Sequence, residues 1–400
     1  MDNLIIGNSK YRNGVSIMRR ILINLFDIHN ENGLIAIDKF KPDKVIYLID
    51  DTKDDLYEQT YECCKRMFNN VIFESFRIRN GDISGINELI NSINDEIIVN
   101  ITGGDRINSL ILLNIALFKK CNIIYIDILT KTIYRFGDNL SKTNEEISDF
   151  YIGDILKTSG SEIIMDSTEL SNDKNVICIT KRIYENLDVW YKYKKVLYNT
   201  QAFIHDYFND TKITVDLKYL NREEIKILRI CLDYLYKLES IKYEENKNII
   251  EVSFLNKYIK GFIFKSGTWL EVLTNIVINE IREIDEVKSG VTFLWKDQNG
   301  KIKNELDILA VKDSVLICIS CKDSEKYDEN ALNELEVYSK RIGGKNTKKI
   351  LVATKPPCKK CVYERAKAMG INLVIVNSDI NIFRKNLSNI ININCNNKLN

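Results

Sequence analysis

The sequence predicts an α/β protein with a Rossmann-like domain, a winged-helix-like region and a C-terminal unit in which three strands follow a helix. Three observations lead to this prediction. Short β-rich runs alternate with helical patterns up to about residue 150, helices and a hairpin follow, and the order helix, three strands, helix, strand begins at Thr268. We predict an N-terminal extension (1–17), the Rossmann-like domain (18–150), the winged-helix-like region (151–260) and the C-terminal unit (261–400).

Composition limits the class of protein. Of the 400 residues, 45% are hydrophobic, which is ample for packed cores, and the net charge of +1 excludes a uniformly basic coat but not local basic patches. The sequence contains no apolar run near the roughly 20 residues that span a bilayer, and no continuous signal-peptide core. The ten cysteines are scattered, several of them in strand-like runs, as expected of reduced thiols. We therefore expect a cytoplasmic protein without a membrane partner.

The first 150 residues alternate strands with helices. The predicted strands are Ile21–Phe26, Val45–Ile49, Val71–Phe76, Ile97–Ile101, Ile123–Ile128 and Thr132–Phe136. Strands separated by helices imply right-handed crossovers and a mostly parallel sheet that is covered on both faces.

Ligands of such sheets bind beyond the carboxyl ends of the strands, and two loops lie at that position. The loop after the first strand carries Asp27, His29, Asn30 and Asn32. The loop after the fourth strand consists of Thr102, Gly103, Gly104, Asp105 and Arg106. Its glycines allow a close approach to the backbone, and the following helix N-terminus and Arg106 favour an anion. The alternative is a tight turn with Asp105 as a helix cap. Because the first loop lacks a GxGxxG fingerprint, NAD and FAD are disfavoured.

The segment ITGGDRINS after the fourth strand resembles the CRISPR-associated Rossmann fold (CARF) domains, whose motif here is commonly Thr-Gly-Gly-Thr-Lys. Thr102, Gly103, Gly104 and Arg106 map onto that motif, whereas Asp105 replaces a neutral residue. The resemblance implies a sensor of cyclic oligoadenylates. It also implies a symmetric homodimer, because the family binds its ring across a two-fold axis.

The middle of the chain resembles a winged-helix module. A strand is predicted at Val176–Ile179, and a helix rich in Tyr and Lys follows it. Next come a strand at Ile213–Leu217, a helix at Arg222–Leu238 and a hairpin that turns at Glu245–Lys247. Such modules bind DNA or serve as spacers and dimer contacts. We favour a spacer because the aromatic residues lie on packed helices rather than on an exposed basic helix.

In the C-terminal unit a helix that begins at Thr268 packs against a sheet. Strands are predicted at Val291–Trp295, Leu306–Val311 and Val315–Ser320, with a turn at Asp297–Gly300. A helix from Glu329 to Arg341 then leads to a closing strand at Ile350–Ala353.

Five polar residues of this unit form a candidate catalytic site. Alternation places Glu305 and Asp307 on one face of the middle strand, and Ser320 and Lys322 on one face of the next. Pairing of the two strands would bring Asp307 beside Ser320 and Lys322, with Glu271 approaching from the helix. Carboxylates in an apolar setting are costly alone, so we expect Glu271, Asp307, Ser320 and Glu305 to hold Mn²⁺ or Mg²⁺. The alternative is a buried salt-bridge network without activity.

The spacing of Asp307 and Lys322 and the order of elements resemble the PD-(D/E)xK nuclease superfamily, whose fold is restriction-endonuclease-like. In that pattern Ser320 stands where an acid or Gln is usual, and Glu305 would supply the missing oxygen. The whole chain resembles the CARF nucleases of type III CRISPR systems, above all the ancillary nucleases activated by cyclic tetra-adenylate. That resemblance implies dimers that cut or nick DNA, and in several cases RNA, with Mn²⁺ or Mg²⁺. The competing hypothesis is a ligand-gated winged-helix transcription factor whose nuclease-like domain is an inactive dimer scaffold.

Overall fold

The computed structural model describes residues 18–50, 53–265, 267–297 and 300–392. The predicted N-terminal extension (1–17) and the turn residues Gln298 and Asn299 lie outside the described residues. In the described ranges, none of the helices combines the length and the apolar character that crossing a bilayer requires.

The described residues of the N-terminal domain form seven strands and four helices. The strands are β1 (Arg20–Leu25), β2 (Lys44–Ile49), β3 (Ile72–Arg77), β4 (Glu96–Asn100), β5 (Asn122–Asp127), β6 (Thr132–Phe136) and β7 (Ser141–Asn144). The helices are α1 (Glu31–Phe40), α2 (Asp54–Met67), α3 (Ile83–Ser92) and α4 (Arg106–Phe118). The strand order is β3-β2-β1-β4-β5-β6-β7. Strands β1 to β5 are parallel to one another, whereas β6 and β7 are antiparallel additions at one edge.

This sheet confirms the predicted Rossmann-like fold. Five of the six positions of β1 are buried, as are five of the six of β2, because helices cover both faces of a parallel sheet. The prediction missed β7 because its four residues are polar and all exposed, so no hydrophobic pattern marks them.

The middle of the chain contains several helices and a small antiparallel sheet. Its elements are α5 (Ile152–Thr158), β8 (Ser161–Met165), α6 (Thr168–Asn172), α7 (Lys174–Tyr184), α8 (Leu187–Tyr193), β9 (Phe203–His205), β10 (Lys212–Asp216), α9 (Arg222–Lys237), β11 (Ile241–Asn246) and β12 (Ile249–Phe254). Strands β9 to β12 form a sheet in the order β11-β12-β10-β9. The predicted hairpin is therefore part of a four-stranded sheet.

The prediction of a strand at Val176–Ile179 is wrong, because these residues lie in α7. Asp173 caps this helix, accepting hydrogen bonds from the N–H groups of Asn175 and Val176 at 3.0 Å each. Val176 and Ile179 are buried at a spacing of three residues, which is a helical period. A short apolar run does not distinguish a buried helix from a strand, and here the cap decides.

The C-terminal domain contains a six-stranded sheet. Its elements are α10 (Ile259–Phe264), α11 (Thr268–Asn279), β13 (Glu286–Asp297), β14 (Gly300–Lys312), β15 (Val315–Lys322), α12 (Glu329–Gly343), β16 (Lys348–Ala353), α13 (Lys360–Ala368), β17 (Ile371–Ile375) and α14 (Ile380–Asn392). The strand order is β17-β16-β15-β14-β13-β8. Strands β13 to β15 form an antiparallel meander, and β16 and β17 continue parallel to β15.

Two strands of this sheet differ from the prediction. The predicted closing strand is followed by β17, which forms the edge. At the other edge β8 pairs antiparallel with β13, although its residues fall in the range predicted for the winged-helix-like region. The domain boundary near residue 151 stays a proposal, and the segment that follows it contributes β8 to the C-terminal sheet.

The C-terminal sheet lies between the other two parts of the chain. One of its faces shares a hydrophobic core with α1 and α5, through residues such as Leu34, Ile155 and Phe293. The other face shares a core with α11, α14 and the middle region, including Val176 and Ile317. The sheet that carries the candidate catalytic residues is therefore in contact with both the N-terminal domain and the middle region.

Candidate active site and sensor loops

Glu271 lies in the first turn of α11, a helix that is buried on most sides by β13, α7 and α14. Burial, followed by the charge of Asp307, raises the pKa of Glu271 to about 7. Glu305 raises that pKa further, while Lys265 and Lys322 lower it. The other three predicted charged residues, and the exposed Lys265, therefore lie within electrostatic reach of Glu271.

Asp307 sits where β14 and β15 separate. The last paired residues of the ladder are Ile308 and Ile319. Beyond them Oδ2 of Asp307 accepts hydrogen bonds from the N–H of Cys321 at 2.6 Å and from Oγ of Ser320 at 3.1 Å. The carboxylate thus takes the place of a backbone acceptor, and β14 and β15 are no longer paired beyond it. The predicted contact of Asp307 with Ser320 is therefore present. We call the site at this open end of the two strands the cleft.

The opening of the strands changes the alternation that we assumed for β14. Leu306 packs in the core shared with the N-terminal domain, whereas Ile308 packs in the core shared with the middle region, so the strict alternation from which we placed Glu305 and Asp307 on one face is broken here. On the neighbouring β13, Gly290 has a φ of +53° at this point. Glu305 is exposed but still acts on the pKa of Glu271.

The donor set fits a divalent cation in part. Among the described residues, no group of three or more His, Cys, Asp or Glu side chains is arranged to hold a metal ion. Glu271 and Asp307 nevertheless repel each other in a partly buried setting, and their oxygens, with the hydroxyl of Ser320 nearby, are ligands that Mg²⁺ and Mn²⁺ prefer. A cation between them would remove the repulsion that raises the pKa of Glu271.

Asp323 is a residue that sequence reasoning missed. It follows Lys322, its side chain is 3% exposed, and it forms an ion pair with Lys194 at 2.9 Å. An acid directly after the strand end was visible in the sequence. Its partners were not visible, because Lys194 and Trp269 are 129 and 54 residues away in the chain.

The two predicted sensor loops lie side by side because β1 and β4 are neighbouring parallel strands. The N–H of Gly104 donates to Oδ2 of Asp27 at 3.2 Å. Gly104 has a φ of +80°, and a Cβ there would lie 2.7 Å from Cβ of Leu25, so only glycine fits. A Cβ on Gly103 would lie 2.9 Å from the carbonyl oxygen of Leu25. The loop is therefore packed tightly against the end of β1.

The remaining residues of the second loop have distinct positions. The hydroxyl of Thr102 accepts from the N–H of Ile126 at 2.8 Å, which ties the loop to β5. Asp105 caps α4, accepting from the N–H of Ile107 at 2.9 Å, so the cap that we considered as an alternative is present. Arg106 is the first residue of α4 and is exposed.

The first loop divides its residues between two surroundings. Asn30 is buried and braces the loop, donating to the carbonyl oxygens of Asp27 at 2.7 Å and Thr158 at 3.1 Å. His29 contacts the C-terminal domain instead, since its ring leaves no room for a Cβ on Gly344. Burial lowers the pKa of His29. The side-chain oxygen of Asn32 is buried, with no hydrogen-bond partner among the described residues. Asp27 is thus the residue of this loop in contact with the second loop.

A first prediction follows from the pKa of Glu271. Because the folded-state pKa is raised, the folded chain retains a proton that the unfolded chain releases between pH 4.5 and about 7, so stability falls as pH rises through that window. Without divalent cations, we expect Glu271→Gln to raise the free energy of unfolding by about 2 kcal/mol at pH 8 and by much less at pH 4.5. Urea denaturation in EDTA measures this. Glu283→Gln, at an exposed position, is the control, and an equal gain at both pH values would contradict the assigned cause.

The fold and the cleft define an α/β protein that joins a Rossmann-like domain to a restriction-endonuclease-like domain with two carboxylates and a lysine within electrostatic reach. Residues 260–393, about a third of the chain, match the family described as Card1-like, endonuclease domain. The C-terminal domain is therefore similar in sequence to an established endonuclease domain. No curated protein matches the chain by sequence.

Two solved structures share the architecture over nearly the whole chain. The crystal structure of protein VC1899 from Vibrio cholerae has a TM-score of 0.73 at 18% identity, covering 92% of this chain and 97% of its own. The structure of Can2 from Sulfobacillus thermosulfidooxidans in complex with cyclic tetra-adenylate has a TM-score of 0.70 at 16% identity, covering 94% and 100%. At these identities the likeness concerns the fold. Together with the family match, it confirms the resemblance to CARF-domain PD-(D/E)xK nucleases.

Proposed function

We propose that the chain is a metal-dependent endonuclease that a cyclic oligoadenylate activates in type III CRISPR antiviral defence. DNA is the proposed substrate, nicked or cleaved, with single-stranded RNA as a second substrate to be tested. The observation that carries the proposal is the convergence of Glu271, Asp307 and Lys322 at the open end of β14 and β15, within a domain that matches an endonuclease family.

Each residue of the cleft has a chemical task in this proposal. Glu271 and Asp307 would hold Mn²⁺ or Mg²⁺, with Ser320 and Glu305 as further oxygen donors. A cation held there would supply Lewis-acid chemistry, polarising the phosphodiester and lowering the pKa of a bound water. Lys322 supplies a positive charge for the charge that develops on the phosphate. The Cys321 N–H and the Ser320 hydroxyl both donate to Oδ2 of Asp307, so they orient that carboxylate.

The activator is assigned to the sensor loops. Asp27 and the segment Thr102–Arg106 meet at the carboxyl ends of β1 and β4, where backbone N–H groups and Arg106 favour phosphate. Asp105 is occupied as a helix cap, which accounts for an acid in a loop that would bind a polyanion. The Can2 structure of the same fold contains cyclic tetra-adenylate, which supports this ring as the activator.

A homodimer is part of the proposal. Helix α4 follows the second loop and exposes apolar side chains that a single copy of the chain leaves uncovered. They are Ile107 (45% exposed), Leu110 (55%), Leu117 (41%) and Phe118 (83%). Apolar exposure on one helix is typical of an interface, and a two-fold contact through α4 would present two copies of the loops to one ring.

The sensor has a physical route to the nuclease domain. The first loop reaches the end of α12, where His29 packs on Gly344. Burial raises the pKa of Glu31 to about 7, and Lys345 and Asn346, which follow α12, lower it in part. A ligand that shifts this loop would therefore change its contacts with the C-terminal domain.

The competing hypothesis, a gated transcription factor, requires an exposed basic helix for DNA. Helix α9 mixes both signs in REEIKILRICLDYLYK, with two acids in its first turn. This pattern favours a supporting role for the middle region.

A cleavage assay tests the proposal. Purified protein is incubated with Mn²⁺ and cyclic tetra-adenylate on supercoiled plasmid and on single-stranded RNA, and each component is omitted in turn. We expect cutting only when both are present. If neither substrate is cut, the nuclease function is refuted. If cutting occurs without the ring, the gating is refuted.

The Ser320 hydroxyl allows a graded prediction. Because Ser320 donates to Asp307 at 3.1 Å but the Cys321 N–H also holds that carboxylate, we expect Ser320→Ala to lower the cutting rate only about three- to tenfold. Ser253→Ala, at a half-buried position on β12 of the middle region, is the matched control. A loss as large as that of Asp307→Asn would instead make Ser320 indispensable at the site.

A further inference from the structure

Asp323, directly after Lys322, receives donors from two other parts of the chain. Its Oδ2 accepts from Nε1 of Trp269 at 2.8 Å, from Nζ of Lys194 at 2.9 Å and from Nε1 of Trp190 at 3.4 Å. Nζ of Lys194 also donates to the backbone oxygen of Asp323 at 3.1 Å. A buried carboxylate is costly unless it is paired and hydrogen-bonded. Here the pairing joins the end of β15, the start of α11 and the middle region at one atom.

The first turn of α11 depends on this contact. The helix begins after Gly267 and has no side-chain cap, so its first N–H groups lack that source of stabilisation. Trp269 is 1% exposed, and its indole N–H bond to Asp323 fixes the turn on β15. Glu271 lies two residues further, about 3 Å along the helix axis. Fraying of this turn would therefore move Glu271 relative to Lys322, the chain neighbour of Asp323.

Lys194, in the middle region, donates to the same oxygen of Asp323. Its side chain is 18% exposed, and its ammonium lies 5.1 Å from the centre of the Tyr191 ring, which limits its freedom. Both residues belong to the segment 187–198 of the middle region. The middle region therefore contributes the counter-charge of a residue that adjoins the candidate active site.

We propose that Asp323 is a positioning residue of the nuclease, which sets the distance between Glu271 and Lys322 through Trp269, and that Lys194 locks it in place. This inference rests on the proposed nuclease function and deepens it. The middle region is then a structural part of the active site, in addition to any role as a spacer between domains.

The test removes the indole N–H and keeps an aromatic side chain. Trp269→Phe is compared with Trp295→Phe, the same change at a buried position on β13, where the ring packs on Phe293 and Tyr338. We expect Trp269→Phe to cut about tenfold more slowly and to need a severalfold higher Mn²⁺ concentration for half-maximal rate, since misplacement of a catalytic group is costly. Trp295→Phe should change neither quantity by more than about twofold.

Asp323→Asn provides a second variant and a readout that is independent of cutting. It retains an acceptor for Trp269 but leaves Lys194 without its counter-charge, so we expect a smaller loss of rate than with Trp269→Phe. The double variant should cut at most about twofold more slowly than the slower single variant, because both changes act on one contact. With 5-fluorotryptophan at the three tryptophans, Asp323→Asn should shift the ¹⁹F resonances of Trp269 and Trp190 but not that of Trp295.

The outcomes separate the two claims. A wild-type chain that cuts nothing refutes the proposed function. If the wild type cuts, a Trp269→Phe variant with an unchanged rate and an unchanged Mn²⁺ response refutes the positioning role alone. A loss of rate that merely follows a lower thermal midpoint, with the Mn²⁺ response unaltered, also refutes it.

Discussion

Asp307→Asn should reduce activated DNA cutting by about a thousandfold or more, and Lys322→Ala should have a comparable effect. Asn retains an acceptor for the N–H of Cys321 and the hydroxyl of Ser320, so the local fold is expected to persist while the charge is lost. Stabilisation of the phosphate by a cation or a fixed charge contributes several kcal/mol, and about 1.4 kcal/mol corresponds to a factor of ten in rate. Initial rates of plasmid nicking at saturating ring and Mn²⁺ measure the effect.

Matched controls separate this loss from a general effect of charge. Asp210→Asn changes an exposed acid in the middle region, and Lys326→Ala changes an exposed lysine four residues after Lys322. Both should cut within about twofold of the wild type. If Asp307→Asn or Lys322→Ala cuts as fast as its control, the cleft is a structural ion network and the nuclease assignment is wrong.

Arg106→Ala should weaken binding of cyclic tetra-adenylate by about ten- to a hundredfold. The guanidinium is exposed at the start of α4, beside the loop whose backbone would face the phosphates. A charge-assisted hydrogen bond contributes about 1.5–3 kcal/mol, which gives this range. Calorimetry of ring binding without substrate measures it. The cutting rate at saturating ring should remain near that of the wild type, because Arg106 is remote from the cleft.

The control for this variant is Arg222→Ala, which removes an exposed arginine at the first position of another helix, α9. Its ring affinity should equal that of the wild type. An unchanged affinity in Arg106→Ala would move the ring away from the second loop. An unchanged affinity together with normal gating would require a sensor site elsewhere in the N-terminal domain.

Local patterns were sufficient for most elements of the fold. Continuous apolar runs separated by helical periods predicted β1 to β6, since both faces of a parallel sheet are buried. The failures have physical reasons. Val176 and Ile179 suited a strand until the cap at Asp173 selected a helix. Strand β8 is a short edge strand in which Glu162, Ile164 and Met165 are exposed, so it lacks the pattern of a buried strand, and its pairing with β13 joins segments more than a hundred residues apart.

For the candidate site, the spacing along β14 and β15 predicted the contact of Asp307 with Ser320, because a meander pairs neighbouring segments in a register that short turns set. It could not predict that the ladder opens at Asp307, since this depends on a side chain that replaces a backbone acceptor. Nor could it predict that His29 faces Gly344 rather than the second sensor loop.

The sequence by itself determined the fold class, the two candidate loops and the candidate catalytic residues with their spacing, because alternation, caps and turns act over a few residues. Only the tertiary structure decided which charges share the cleft, how burial raises the pKa of Glu271, and that Asp323 ties α11 to Lys194. These features depend on burial and on contacts between distant segments, and both quantities exist only once the three parts of the chain have packed on one sheet.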